Sequence, residues 1–360
     1  MIQARIRKHY PPGPDSAGFS LDVDFQAAGG VTVLFGPSGS GKTMSLEAVA
    51  GFIRPDEGRI LLDDEILFDA GSGVNLPPQT RHCGYVFQNY ALFPHMTLRE
   101  NLAFAASSSR KRWPRLERHR RVNEMLERFH LAEVSGRRPH EVSGGQKQRC
   151  SVARALIIEP KLLLLDEPAR GLDAPLRAEL YEVLRQVRAD FHIPILLVTH
   201  DLEECFQLGD EMIVLHQGRI VQRGIPRQVY DQPASVEVAR LLGAYNLLPV
   251  EITGLDPVNN SSKVRYGEFQ FSGPYFPGRF RGDHVTLCVR PEELRVSPSD
   301  GRPAANQIPT ELVRHTERPQ SVLLEFRAGL CAEVPRAHFE RHKHVKEWVV
   351  EFPPAALRAL

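Results

Sequence analysis

The segment Gly36-Pro37-Ser38-Gly39-Ser40-Gly41-Lys42-Thr43 stands between the apolar run Val31–Phe35 and residues 42–52, whose apolar side chains recur at helical spacing as far as Gly51. It fits G-x-x-x-x-G-K-[ST]. A strand before it and a helix after it are the context in which that pattern binds phosphate rather than matching by chance. Each part has a physical reason. Glycines let the backbone turn so that successive N–H groups converge on phosphate oxygens. The helix opening at the loop adds the positive end of its dipole. Lys42 is expected to reach the β- and γ-phosphates of ATP, and the Thr43 hydroxyl to ligate Mg²⁺.

A strand feeding such a loop needs a sheet around it, and residues 1–245 carry one in their pattern. Strands are expected at 20–25, 31–35, 59–68, 82–87, 162–165 and 195–198. Helices are expected over 42–52, most of 97–134, from Ser143 to the proline stop at Glu159-Pro160, and about 175–190. The alternation argues an α/β fold built on a mostly parallel sheet with helices on its faces. After about residue 245 helices give way to short β-like runs, VTLCVR (285–290), SVLLEF (321–326) and EWVVEF (347–352). A chain of 360 residues, 42% hydrophobic, exceeds one average domain. Two are therefore expected: 1–245, with a helical subdomain at about 89–160, and an all-β 246–360.

Charge is nearly balanced, 45 Lys and Arg against 44 Asp and Glu, which gives no reason to expect a nucleic-acid partner. The five cysteines are scattered without a CxxC pair, as in reduced chains. The N-terminal residues lack the apolar core of a secretory signal. No apolar run approaches the roughly 20 residues that span a bilayer, so any membrane role is expected to pass through a partner.

The second phosphate-directed element is Leu162-Leu163-Leu164-Leu165-Asp166-Glu167-Pro168. An apolar strand ending in a carboxylate is what holds Mg²⁺ beside the phosphates in P-loop enzymes, so Asp166 is the expected metal-side residue. Glu167 is the candidate base for the attacking water. Two adjacent carboxylates would be costly without a cation between them.

Val142-Ser143-Gly144-Gly145-Gln146-Lys147-Gln148-Arg149 lies between these elements, its Ser143 standing 23 residues before Asp166. Ser143 and the amides of Gly144 and Gly145 form a second helix N-terminus suited to a phosphate. With the loop and the acidic strand end, this segment resembles the signature motif of ABC transporter ATPases. The resemblance implies that Ser143, Gly144, Gly145 and Gln146 complete the ATP site of a second copy in a head-to-tail dimer. It implies further roles one position at a time. Gln88, in Gly84-Tyr85-Val86-Phe87-Gln88, resembles the glutamine that senses Mg²⁺ and the attacking water. His200, in Leu197-Val198-Thr199-His200-Asp201, resembles the switch histidine that contacts the γ-phosphate. Asp173 resembles the aspartate that crosses the dimer. Tyr10 is the expected aromatic on the adenine, with Phe19 as rival, because PPGPDSAG intervenes.

The chain departs from the family pattern at Val142, Cys205 and, more consequentially, Arg170-Gly171, where Ser-Ala is usual before Leu-Asp. That last change puts signalling across the dimer in question. Cys288-Val289-Arg290-Pro291-Glu292 resembles a segment of the OB-like C-terminal domain of importer ATPases. Phe19–Phe25 and Leu67-Phe68-Asp69-Ala70 look most like the molybdate branch, with sulfate, iron and polyamine cargoes as alternatives. The resemblance implies integral membrane permease subunits as partners, docked on residues 89–104. It also implies a periplasmic or extracellular solute-binding protein acting indirectly, and a peripheral place on the cytoplasmic face of the plasma membrane. Two other readings are a soluble ABC ATPase working on ribosomes or DNA and a non-catalytic ATP sensor. The single cassette and the intact Lys42, Asp166, Glu167 and His200 argue against them. The basic run from Arg110 to Arg115, extended by Arg118, Arg120 and Arg121, reads as a solvated helix face, with anionic lipid as the alternative.

Overall fold

The apolar runs 31–35, 162–166 and 195–199 are buried along their whole length, which suits central strands covered on both faces. The computed structural model describes residues 1–13, 17–108, 111, 113–243, 246–299 and 304–360. It divides into two compact units, Met1–Val229 and Tyr230–Leu360. No helix among the described residues is long and apolar enough to cross a membrane.

The first unit runs β1 (Ile2–Tyr10), β2 (Phe19–Ala27), β3 (Val31–Phe35), α1 (Lys42–Ala50), β4 (Glu57–Leu62), β5 (Glu65–Asp69), β6 (Val74–Asn75) and β7 (Cys83–Val86). It continues with α2 (Leu98–Ser107), α3 (Arg115–Arg128), α4 (Gly144–Leu156), β8 (Leu162–Asp166), α5 (Ala174–Phe191), β9 (Ile195–Thr199), α6 (Leu202–Leu208), β10 (Glu211–His216) and β11 (Arg219–Gly224). A helix α7 (Pro226–Asp231) crosses into the second unit. All its strands share one 11-stranded sheet, ordered β6-β5-β4-β1-β2-β11-β10-β3-β9-β8-β7.

The expected mostly parallel sheet is corrected to a mixed one. From β7 through β8, β9 and β3 to β10 the pairings are parallel. The arm β2-β1-β4-β5-β6 is antiparallel throughout. A tight turn explains one step of the arm: Asp63 takes a left-handed φ of 52° between β4 and β5, so these strands meet as a hairpin without a crossover helix. The sequence reading also passed over β1. Its inward residues Ile2, Ala4 and Ile6 alternate with Arg5 and Arg7, a period-two signal shortened by charge.

Helices α2 to α4 form a layer inserted between β7 and β8. A capping box opens α2, with Thr97 Oγ1 accepting from Glu100 N at 3.2 Å and Glu100 Oε2 from Thr97 N at 2.7 Å. Within the basic run, Arg110 and Arg112 lie outside the described residues. Lys111 and Arg121 pair with Glu159, and Arg120 with Glu117 and Glu124. Those guanidinium and ammonium groups are matched within the fold.

The second unit contains α8 (Val236–Leu241), β12 (Asn246–Asp256), β13 (Ser261–Tyr266), β14 (Phe269–Gly273), β15 (His284–Val289), β16 (Arg295–Pro298), β17 (Gln307–Glu317), β18 (Ser321–Phe326), β19 (Cys331–Pro335), α9 (Arg336–His342), β20 (Glu347–Glu351) and β21 (Arg358–Ala359). Its strands make two five-stranded sheets, β14-β13-β12-β15-β21 and β16-β20-β17-β18-β19. Both sheets feed one core that includes fully buried Trp348 and the ring pair Phe271 and Phe352, centroids 5.1 Å apart. The division falls ahead of the boundary expected at 245/246. Tyr230 explains why: its ring lies 3.3 Å beneath the Arg290 guanidinium, and Asp231 pairs with the same arginine at 3.3 Å. A helical stretch thus belongs to the β unit, although composition alone assigns it to the helix-rich half.

Candidate functional site

The strand register gathers the site. Phe35 of β3 is level with Thr199 of β9, and Val198 with Asp166 of β8. Gly36, Glu167 and His200 therefore leave three adjacent parallel strands at the same edge, the carboxyl edge where open α/β sheets bind ligands. Val86 of β7 is level with Leu165, which carries Gln88 to the same edge.

The loop after β3 admits little but its own residues. A Cβ on Gly36 would sit 2.2 Å from the Leu215 carbonyl oxygen. One on Gly41, at φ 100°, would strike Leu21 at 2.6 Å. Gly41 is also the residue from which α1 starts, so the loop's amides lead directly into the helix N-terminus. Lys42 is buried, and its ammonium donates to the carbonyls of Gly36 (2.8 Å) and Pro37 (2.9 Å). Burial holds its pKa below the ordinary lysine value, while Glu167 and Asp166 oppose that fall. Ser40 Oγ is buried in the same loop without a hydrogen-bond partner.

Asp166 is 6% exposed. Thr43 Oγ1 donates to its Oδ1 at 2.9 Å and the Tyr85 hydroxyl to its Oδ2 at 3.2 Å. Burial raises the Asp166 pKa, and these two hydrogen bonds pull it down. Burial and the nearby Asp166 also raise that of Glu47. The donor set fits Mg²⁺-ATP. Among the described residues no group of three or more His, Cys, Asp or Glu could hold a metal by itself. Magnesium bound through one or two carboxylates plus substrate phosphates needs no such cage. Thr43 and Asp166, which bond to each other, and Gln88, which borders the same cavity, are the residues that could hold the ion.

Glu167 is 8% exposed and adopts a left-handed φ of 45°, a conformation that costs a non-glycine residue about 1 kcal/mol. That turn aims its carboxylate along the sheet edge. His200 Nδ1 lies 3.2 Å from its Oε1, and Arg170 Nη1 donates to its Oε2 at 2.8 Å. With its amide oxygen turned toward Arg170, Gln88 accepts from Nη1 at 2.9 Å and Nε at 3.3 Å. An open cavity of about 490 Å³ is bounded by Ser38, Lys42, Thr43, Gln88, Glu167 and Arg170.

Phe19 also lines this cavity, and Tyr10 does not. Tyr10 stands directly across from Phe19 in the β1–β2 ladder, with Lys8 Nζ 5.5 Å from its ring centroid. Of the two expected aromatics, Phe19 is the one that borders the cavity. Of the intervening PPGPDSAG, residues 14–16 lie outside the described residues.

Three expected groups do not meet the P-loop cavity of their own chain. Ser143 caps α4, its hydroxyl accepting from Gln146 N at 3.3 Å while Gln146 Oε1 accepts from Ser143 N at 3.0 Å. Gly144 and Gly145 begin that helix, and a Cβ on Gly145 would meet Leu176 at 2.8 Å. Asp173 caps α5, accepting from Leu176 N at 3.1 Å. Sequence reasoning gave no role to Tyr85, Glu47 or the Arg170 side chain. Tyr85 lay within a quoted segment, but nothing in the pattern says that its hydroxyl reaches Asp166.

Two aromatic clusters are partly exposed. Phe52, Tyr85 and Phe87 pack with centroids 4.3 to 5.7 Å apart, and Phe93 meets Phe104 at 4.9 Å. Phe52 and Phe104 are each 47% exposed.

The ABC transporter family profile matches residues 20–170. The spermidine/putrescine import ATP-binding protein PotA of Vibrio cholerae is 39% identical over 279 residues, 77% of this chain and 71% of that protein. The sulfate/thiosulfate import ATP-binding protein CysA 2 of Agrobacterium fabrum is 42% identical over 275 residues, 76% of this chain and 75% of that protein. The molybdate/tungstate import ATP-binding protein WtpC of Pyrococcus horikoshii is 39% identical over 264 residues, 73% and 71%. Among solved structures, a dimeric ATP-binding cassette in a post-hydrolysis state with ADP and phosphate aligns with a TM-score of 0.54 at 26% identity. It covers 63% of this chain and 99% of its own.

Proposed function

The chain belongs to the ABC transporter family, and from that membership we infer that it is the ATP-hydrolysing subunit of an importer. The observation that carries this reading is the convergence of Lys42, Thr43, Gln88, Asp166, Glu167 and His200 on one sheet edge. The loop amides and Lys42 bind the ATP phosphates, and Phe19 offers a face for the adenine. Mg²⁺, when bound, neutralises charge on the phosphates. Glu167 accepts a proton from the attacking water, and His200 orients its carboxylate. Ser143 to Gln146 and Asp173 do not line their own P-loop cavity and serve the site of a second copy in a head-to-tail dimer. The ADP- and phosphate-bound dimer among the solved neighbours supports that arrangement.

Closure of the dimer drives a membrane permease, which docks on residues 89–104 at the cytoplasmic face. A solute-binding protein supplies the cargo. For the solute we propose an oxyanion of the molybdate or sulfate kind. The segments 19–25 and 67–70 and the sulfate and molybdate/tungstate relatives support it. The spermidine/putrescine relatives support a polyamine as the second reading. The two five-stranded sheets of the second unit suit OB-like regulatory modules.

The test of catalysis is Glu167→Gln: ATP binding is retained, hydrolysis falls by orders of magnitude, and the ATP-bound dimer accumulates. Turnover at the normal rate would exclude Glu167 as the base. The test of cargo is ATPase stimulation of the reconstituted transporter by its receptor loaded with molybdate, sulfate or spermidine.

A further inference from the structure

Arg170 stands where the family pattern has a small hydroxyl residue, and its contacts show what the exchange does. The chain doubles back after Glu167: Arg170 N donates to Glu167 O at 3.1 Å, and Gly171 takes φ 75°. This turn returns the Arg170 side chain to the carboxylate three residues earlier. The guanidinium is about half exposed, whereas the carboxylate is 10% exposed. Arg170 borders the phosphate cavity on one side and a smaller cavity of about 160 Å³ beside His200 on the other.

Both oxygens of Glu167 are thereby engaged. Oε2 accepts from Arg170 and Oε1 faces His200 Nδ1, while the same guanidinium holds Gln88. A general base must present a free oxygen to the water it deprotonates. A charge-assisted bond from a guanidinium is among the stronger competitors for that oxygen.

We propose that Arg170 is a positioning residue that locks Glu167 and Gln88 together in the nucleotide-free chain, withholding the base until closure of the ATP-bound dimer draws the guanidinium away. The proposal rests on Glu167 being the base. It turns the Arg170-Gly171 departure into a restraint on idle hydrolysis: the lock opens only when ATP and the second copy rearrange the turn that carries Arg170. Lysine can keep the charge but cannot grip Glu167 and Gln88 with one planar fork.

The test compares wild type, Arg170→Ser and Arg170→Lys, each checked for folding by circular dichroism. Without permease, Arg170→Ser is expected to raise kcat about two- to fivefold, the scale of one partly exposed ion pair, with KM for ATP unchanged. Arg170→Lys is expected to fall between. Amide exchange over residues 169–172 in the nucleotide-free protein gives a readout independent of turnover. It is expected to quicken in Arg170→Ser and to be only partly restored in Arg170→Lys. If wild type hydrolyses ATP and Arg170→Ser has the same or a lower kcat, or unchanged exchange, the lock is overturned while the ATPase reading stands. An inactive wild type would instead overturn the reading on which the proposal rests.

Discussion

Glu204 offers a quantitative test of the electrostatics beneath the site. It lies on α6 and is 2% exposed, with Oε1 lacking a hydrogen-bond partner. Burial pushes its carboxyl from 4.5 up to about 7; the Thr199 hydroxyl opposes the rise, Asp201 and Glu167 add to it, and Arg177 offsets part of it. The native state therefore holds a proton that the unfolded chain releases between those values. A raised carboxyl contributes stability that is fully present below 4.5 and is lost as pH rises through about 7. At 1.36 kcal/mol per pH unit, the full loss is about 3 kcal/mol, most of it between pH 5 and pH 8. Glu204→Gln keeps the shape and removes the titration. Urea unfolding of both proteins, followed by circular dichroism at pH 5 and pH 8, isolates the effect, because other groups cancel in the difference. The variant is expected to gain about 2 to 3 kcal/mol on wild type between those pH values. A difference that stays flat to within about 0.5 kcal/mol refutes the assignment of a buried, protonated carboxyl.

Other expected outcomes follow from single contacts. Arg81, fully buried, donates to the carbonyls of Ala48, Val49 and Leu76 and to Asn75 Oδ1. Arg81→Ala strips that whole set and is expected to cost about 3 kcal/mol or more, read by thermal melting. Tyr85→Phe removes one of the donors that orient Asp166, and the Mg²⁺ concentration for half-maximal hydrolysis is expected to rise about tenfold while kcat at saturating Mg²⁺ holds. Ser143→Arg is expected to abolish hydrolysis without preventing ATP binding. Mixed with an inactive Lys42→Ala chain it should regain activity, because one of the two composite sites in the mixed dimer is whole. No recovery on mixing would place residue 143 outside a shared site.

What the sequence makes legible here is local order, and what it hides is direction and distance. Gly36 to Thr43 and Leu162 to Glu167 each couple a period to a chemical terminus, so strand, loop and role can be read together. The parallel or antiparallel sense of β1, β2 and β4 is not written in their alternation. For β4 and β5 it depends on the turn at Asp63, whose left-handed φ no composition announces. The hydroxyl of Tyr85 and the guanidinium of Arg170 reach their partners through strand register and through a turn after Glu167 that a strand reading cannot supply. Tyr10 and Phe19 illustrate the limit most sharply. They are cross-strand neighbours, and only the path of the P-loop decides which ring borders the cavity.

The outward-facing Ser143 cap has a consequence for heredity. If each catalytic centre borrows that helix end from the other copy, one gene writes both halves of every centre. A faulty allele then damages partners as well as itself. In a cell carrying both alleles, a chain broken at Glu167 but still able to pair would enter most dimers, and each mixed dimer would keep one whole centre. A chain too damaged to pair would merely be absent, leaving the remaining dimers with both centres whole.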